Sequence, residues 1–248
     1  MVLGSKDHMR MEQSAGGVIG REIGIHMKKW FKKYSHVWIL SYGILYFVWF
    51  CLLESANDRD FTLIHSTLDD LIPFCPVFII PYLLWFLYVA SIIVFTFFTS
   101  REDYYKTCGY LFSGMTVSLM IFTIFPNAFN RGILPEDTSV FSAMVSILRN
   151  VDTPTDVFPS IHVYNSIAVH IALLKNTYLA EQVRQKPQKK RALRIVKALS
   201  FLLMTAIILS TVFLKQHSII DVFGGIILAV LLYPCVYVLP NRKKRSLN

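Results

Sequence analysis

His217 and Asp221 stand four residues apart, and Pro159-Ser160-Ile161-His162 comes earlier; both strings lie at the mouths of apolar stretches. On a helix the i, i+4 spacing puts His217 and Asp221 on one face. A carboxylate that accepts from one imidazole nitrogen fixes the tautomer and makes the other nitrogen a better nucleophile or base. Such a histidine is poised to attack phosphorus. The same pair also reads as a helix-capping His with an Asp satisfied by a neighbouring helix. In the earlier string, proline suits a first helical turn because its missing N–H would be unpaired there. The backbone N–H groups of that helix start, with the Ser160 hydroxyl, form a natural phosphate cradle. His162 would protonate a leaving-group oxygen. Alone, this string equally describes an ordinary helix entry.

The elements that must position these residues are membrane helices. Of 248 residues 54% are hydrophobic, and the mean hydropathy is +0.48, too apolar for a soluble domain of this length. A spanning helix needs about 20 mostly apolar residues. Stretches at 36–53, 77–99, 108–126, 159–175, 195–214 and 218–239 meet that need. The expected fold is all-α, a polytopic integral membrane bundle of six transmembrane helices, both termini cytoplasmic. Residues 1–34 read as a basic cytoplasmic tail, 35–240 as the catalytic domain and 241–248 as a second basic tail. No cleavable signal peptide is visible, so the first span is expected to act as signal anchor. A titratable side chain inside a bilayer costs a few kcal/mol, which makes intramembrane histidines functional candidates.

The net charge of +9 sorts by side. Lys and Arg crowd the segments before residue 35, at 100–107, at 175–197 and after 240. The intervening loops hold only Arg59, Arg131, Arg149 and Lys215. By the positive-inside rule the loops at 54–76, 127–158 and 215–217 are external. His162, His217 and Asp221 therefore share one membrane face, and the basic excess is topological rather than a nucleic-acid footprint. The amphipathic loop 64–74 is expected to cap the site from the interface, and a short helix is expected around 138–149. Arg184, Lys186, Lys189, Lys190 and Arg191 read as a solvated loop. His65 and His170 are read as structural, and Asp69 and Asp70 as solvated loop acids. Cys51 and Cys75 could meet externally, though a plain apolar role suits them. The other histidines are dispersed, so neither a metal nor a cofactor is called for.

Taken together, the strings resemble the type 2 phosphatidic acid phosphatase superfamily of integral-membrane lipid phosphatases and phosphotransferases. Its motifs run Lys, six residues, Arg-Pro; then Pro-Ser-Gly-His; then Ser-Arg, five residues, His, three residues, Asp. Here Ile161 takes the glycine place in the second. The third runs from Ser210 to Asp221 with Thr211 in place of Arg. The first is degraded: Arg131 is followed by Gly132, Ile124 sits where Lys belongs, and the chain has no Arg-Pro. These departures look like the branch that includes inositol phosphorylceramide synthases, and the likeness covers residues 65–226.

The resemblance implies that His217 forms a phosphohistidine, Asp221 orients it, and His162 is the acid that releases the alcohol and later activates the acceptor. Arg131 and Lys215 would supply charge to the phosphate, with Ser160 at its cradle. Lys215 is a substitute of this chain's own for the missing arginine, a point charge without the bidentate fork. The expected function is a lipid phosphatase acting on a lipid phosphomonoester or pyrophosphate. Alternatives are a phosphotransferase that moves a phosphoryl headgroup to a lipid alcohol, and a non-catalytic membrane scaffold. The expected partners are a phosphorylated lipid and the bilayer. The expected place is a plasma membrane, bacterial by compact size, with the site facing outside.

Overall fold

The computed structural model describes residues 34–56, 58–134 and 139–240. The chain divides into two compact units, Met1–Ser41 and Tyr42–Asn248. In the first, a 3-10 helix covers Ser35–Ser41. The two basic tails expected at 1–34 and 241–248 lie outside the described residues, apart from Tyr34.

The second unit is built on helices α1 (Tyr42–Ser55), α3 (Ile79–Thr99), α4 (Arg101–Ile124), α6 (Ile161–Leu174), α8 (Lys189–Phe213) and α9 (Ile219–Tyr233). Shorter pieces join them: β1 (Thr62–Leu63), α2 (Thr67–Leu71), β2 (Asn127–Ala128), α5 (Val140–Val151) and α7 (Thr177–Gln185). Ser100 alone separates α3 from α4, closing the first and capping the second by accepting from Asp103 N at 3.2 Å. The expected loop at 100–107 is therefore helix, and Arg101 and Lys106 sit in the first turns of α4. The charge run at 184–191 is solvated as expected, yet it belongs to the end of α7 and the start of α8.

Among the described residues five helices are long and apolar enough to cross a membrane: Ser35–Ser55, Pro76–Thr99, Arg101–Ile124, Lys189–Phe213 and Ile219–Val238. Ile44, Leu45, Phe47, Phe98, Leu202 and Leu231 are all exposed, an apolar outer surface that a bilayer would cover. The stretch expected at 159–175 is shorter than a span. Helix α6 has 14 residues, about 21 Å at 1.5 Å per residue, and is bounded by Ser160 at one end and Lys175 at the other. Pro159 precedes the cap instead of opening the first turn. Despite its length α6 is the axis of the bundle, packed against α3, α4, α8 and α9. Buried Tyr164 donates to the Tyr110 carbonyl, and Tyr110 in turn donates to the Ala229 carbonyl at 2.6 Å, tying α6, α4 and α9 together.

At the end of the bundle where α6 begins, loops are woven into a layer. β1 pairs in parallel with β2, and Ala128 bridges to Thr155 on its other side. Arg59 donates to the carbonyls of Leu53, Ala56 and Phe122 and pairs with Asp156 at 2.7 Å. One guanidinium thus satisfies carbonyl groups at the ends of both α1 and α4.

Candidate active site

His162 lies in the first turn of α6 and His217 just before α9, and their rings stand 5.8 Å apart, edge to face. Ser160 N donates to the Asp221 carbonyl at 3.1 Å, which locks the start of α6 to the start of α9. The contact is close because two glycines permit it. A Cβ on Gly225 would lie 2.8 Å from the Ser160 carbonyl oxygen, and one on Gly224 would lie 2.5 Å from the Phe158 ring.

His217 is oriented from both sides. Its backbone N–H and that of Gln216 both donate to the Thr211 carbonyl, at 3.1 and 2.9 Å. Thr211 stands where the family motif has arginine, and here its carbonyl closes the turn while its hydroxyl bonds the Ile208 carbonyl. On the other side Nδ1 lies 3.4 Å from Asp221 Oδ2, longer than a formed hydrogen bond. His217 is nearly buried and Asp221 fully so. Asp221 Oδ2 also accepts from Ser218 N at 2.8 Å, completing a capping box with Ser218.

His162 stacks on Tyr82 at 4.6 Å and packs against Trp85 at 4.4 Å between ring centroids. Both aromatic residues come from α3. Asn127 sets the chain leading into α6: its Oδ1 accepts from Val157 N and Phe158 N at 2.8 and 2.7 Å, and its Nδ2 donates to the carbonyls of Phe125 and Phe158. Ser160 is fully buried, and its hydroxyl accepts from Val163 N as the cap of α6.

The cations of the neighbouring loops are each held by supports of their own. Arg131 donates to the carbonyls of Asp152 and Thr153 and pairs with the Asp152 carboxylate at 3.2 Å. The same carboxylate oxygen lies 3.5 Å from the Tyr82 hydroxyl, linking Arg131 to the ring under His162. Lys215 has a positive φ of 55°, and its ammonium donates to the Asp69 carbonyl. Arg149 was missed in the sequence. It reaches the Leu214 carbonyl at 3.4 Å and the Arg131 carbonyl at 3.1 Å. Burial, and then the like charge of Arg131, push its guanidinium down to about 10, so it stays protonated at neutral pH.

Asp69 is not a solvated loop acid. It is buried, with Oδ2 accepting from Ser66 N at 2.8 Å and from the Ser218 hydroxyl at 2.6 Å, and Oδ1 accepting from Ile219 N at 2.8 Å. The loop expected to cap the site is thereby strapped to the first turn of α9. The signal was present: Ser66-Thr67-Leu68-Asp69 has the spacing of a capping box. Asp70 remains exposed and pairs with exposed His65 at 3.0 Å. His170 bonds Ser200 at 3.0 Å within the bundle, and Cys51 and Cys75 are free thiols.

Fold and site together define an all-helical, multi-pass membrane protein with paired histidines at one end of its bundle. The chain belongs to the PAP2 superfamily, whose family model matches residues 107–245, more than half of its length. Members of this superfamily are generally phosphatases or phosphotransferases, which supports an enzyme acting on phosphorylated lipid in a membrane. The match takes in both histidine strings but not α3 or Asp69, which supply the ring stack and the strap. No curated protein and no solved structure matches the chain.

Proposed function

We propose that the protein is a lipid phosphatase that hydrolyses a lipid phosphomonoester or pyrophosphate through a phosphohistidine. The observation that carries the reading is the edge-to-face approach of His162 and His217, with Asp221 behind His217 Nδ1. With Nδ1 turned to the carboxylate, Nε2 is the nitrogen that attacks phosphorus. The P–O bond to the lipid breaks as the P–N bond forms, and His162 delivers its proton to the leaving oxygen. Water then attacks the phosphohistidine, His162 takes the water proton, and inorganic phosphate leaves. Negative charge spreads over the equatorial oxygens in such a transfer, so positioned cations carry much of the rate. Arg131, Arg149 and Lys215 are the cations the reading assigns to that task, with the α6 start at Ser160 beside them.

In this reading α6 completes six crossings, both termini are cytoplasmic, and the histidines face the outside of a bacterial plasma membrane. The distribution of Lys and Arg supports that orientation. A lipid alcohol in place of water would make the same phosphohistidine a transferase intermediate, which the loose first motif and its likeness to inositol phosphorylceramide synthases favour.

The deciding assay measures phosphate release from phosphatidic acid, phosphatidylglycerol phosphate, a sphingolipid phosphate and a polyprenyl pyrophosphate in detergent, with wild type and His217→Ala. Release by the wild type that falls about a thousandfold or more in the variant is the expected result, in line with losses of nucleophilic residues. Equal release by both proteins overturns the reading. Headgroup transfer on adding diacylglycerol or ceramide, without phosphate release, identifies the transferase. Silence toward every lipid from folded protein identifies a scaffold.

A further inference from the structure

At the end of the bundle away from His217, α3, α6, α7 and α8 line a partly open cavity of about 730 Å³. That volume falls among ligand pockets, which run about 300–1,000 Å³. Its deep walls are Ile92, Phe95, Val169, Leu173 and Leu203, with half-exposed Val196 on the open side. The polar groups in the wall satisfy one another: Tyr88 donates to the Ser200 carbonyl at 3.1 Å and meets its hydroxyl at 2.6 Å, and that hydroxyl meets His170 Nδ1 at 3.0 Å. Nothing deep in the cavity therefore offers a polar ligand a partner. The mouth differs. There Lys189 on α8 reaches Gln182 on α7 at 2.9 Å, and its sequence neighbours Lys186, Lys190 and Arg194 are exposed. Glu181, the nearby acid, is already taken by Arg184 and Gln185.

The cover is a fixed element. Helix α7 turns Tyr178, Leu179, Gln182 and Val183 toward the cavity, a helical i, i+1, i+4, i+5 stripe. Its start is pinned by the buried Asp103 carboxylate, which accepts from Thr177 N, the Thr177 hydroxyl and Tyr178 N. An apolar interior with a cationic rim matches an amphiphile that has an apolar tail and an anionic head. We infer that this cavity is a second lipid site, one that takes an acyl chain of an anionic phospholipid from the basic side of the membrane and holds its phosphate at Lys189.

The test uses the full chain in lipid nanodiscs containing phosphatidylglycerol or phosphatidylcholine with a photoreactive group on the acyl chain. Labelling concentrated on the cavity residues of α7 and α8, stronger for phosphatidylglycerol, is expected. Ala192→Trp, at the cavity wall, should abolish that labelling with either lipid. Lys189→Gln should lower the preference for phosphatidylglycerol about fivefold, the effect of roughly one basic residue at an anionic surface. Val196→Trp replaces Ala192→Trp if the latter does not fold. Labelling spread evenly over the outer faces of α3 and α8, labelling indifferent to the Trp variants, or cross-linking of two protein copies through the cavity residues each overturns the inference. Labelling needs no turnover, so its outcome stands apart from that of the phosphatase assay.

Discussion

At the scale of single residues, the Asp221 carboxylate faces two ways: it accepts from Ser218 N and lies beside His217 Nδ1. Asn at this position keeps an oxygen for the cap but loses the charge that would stabilise a protonated imidazole. Asp221→Asn is therefore expected to retain its thermal midpoint while phosphate release falls about 10²–10⁴-fold, the span for a disabled acid–base partner. Lys215 separates charge from backbone in the opposite sense. Its φ of 55° is a conformation glycine adopts freely, so Lys215→Gly relieves strain as it removes the ammonium. A higher KM for phosphorylated lipid, with stability within about 1 kcal/mol of wild type, is the expected result from steady-state kinetics and thermal unfolding. That His162, His217 and Asp221 meet was legible, because both strings open apolar stretches and His217 and Asp221 stand at i, i+4. Arg149 was not, since an arginine on a short amphipathic helix reads as surface until the Leu214 carbonyl is seen beside it. Asn127 gives no sequence signal at all, because its four hydrogen bonds depend on how a loop folds back on it.

At the scale of elements, the site depends on how closely α6 and α9 approach. Gly225→Ala would press a methyl group toward the Ser160 carbonyl oxygen, a backbone atom that moves only with the helix start. The expected cost is about 1–3 kcal/mol, as for overpacking elsewhere. Displacing His162 from His217 should also lower turnover, while Gly43→Ala on α1, with open space around it, should lower neither; thermal unfolding and phosphate release measured side by side check both. Apolar length located the long helices except at the starts of α4 and α8, where Arg101 to Lys106 and Lys189 to Arg194 look like loop but form helix, the first under the Ser100 cap. Hydropathy also lengthened α6. A run of apolar residues does not reveal that Ser160 and Asn176 cap helices at either end of it.

On the whole-molecule scale, one end of the bundle is held by ties between segments distant in sequence. Asp156 is fully buried at its side chain and paired with Arg59. Burial holds its carboxyl above the ordinary carboxylate range, and Arg59 draws it part of the way back. For an acid raised in this way, the folded state binds the proton more tightly than the unfolded chain does, so its contribution is greatest at low pH and is lost as pH rises through the folded-state pKa. Removing the guanidinium should deepen that loss. Arg59→Met is expected to be destabilised by about 3 kcal/mol near pH 8 and by clearly less near pH 5, measured by thermal unfolding at both.

The strap from Asp69 to Ile219 joins residues 150 positions apart. A ribosome adding about 5–20 residues per second needs about 8–30 s to make the intervening chain. For that interval the Asp69 carboxylate has been synthesised without the helix it caps, and His217 is not yet made. The α3–α4 hairpin can enter the membrane early, but the histidine pair cannot assemble until His217 and α9 have been made. If the proposed reading holds, a nascent chain that stops short of α9 carries much of the bundle without the histidine that would attack phosphorus, and turnover waits until α9 has been made and strapped down.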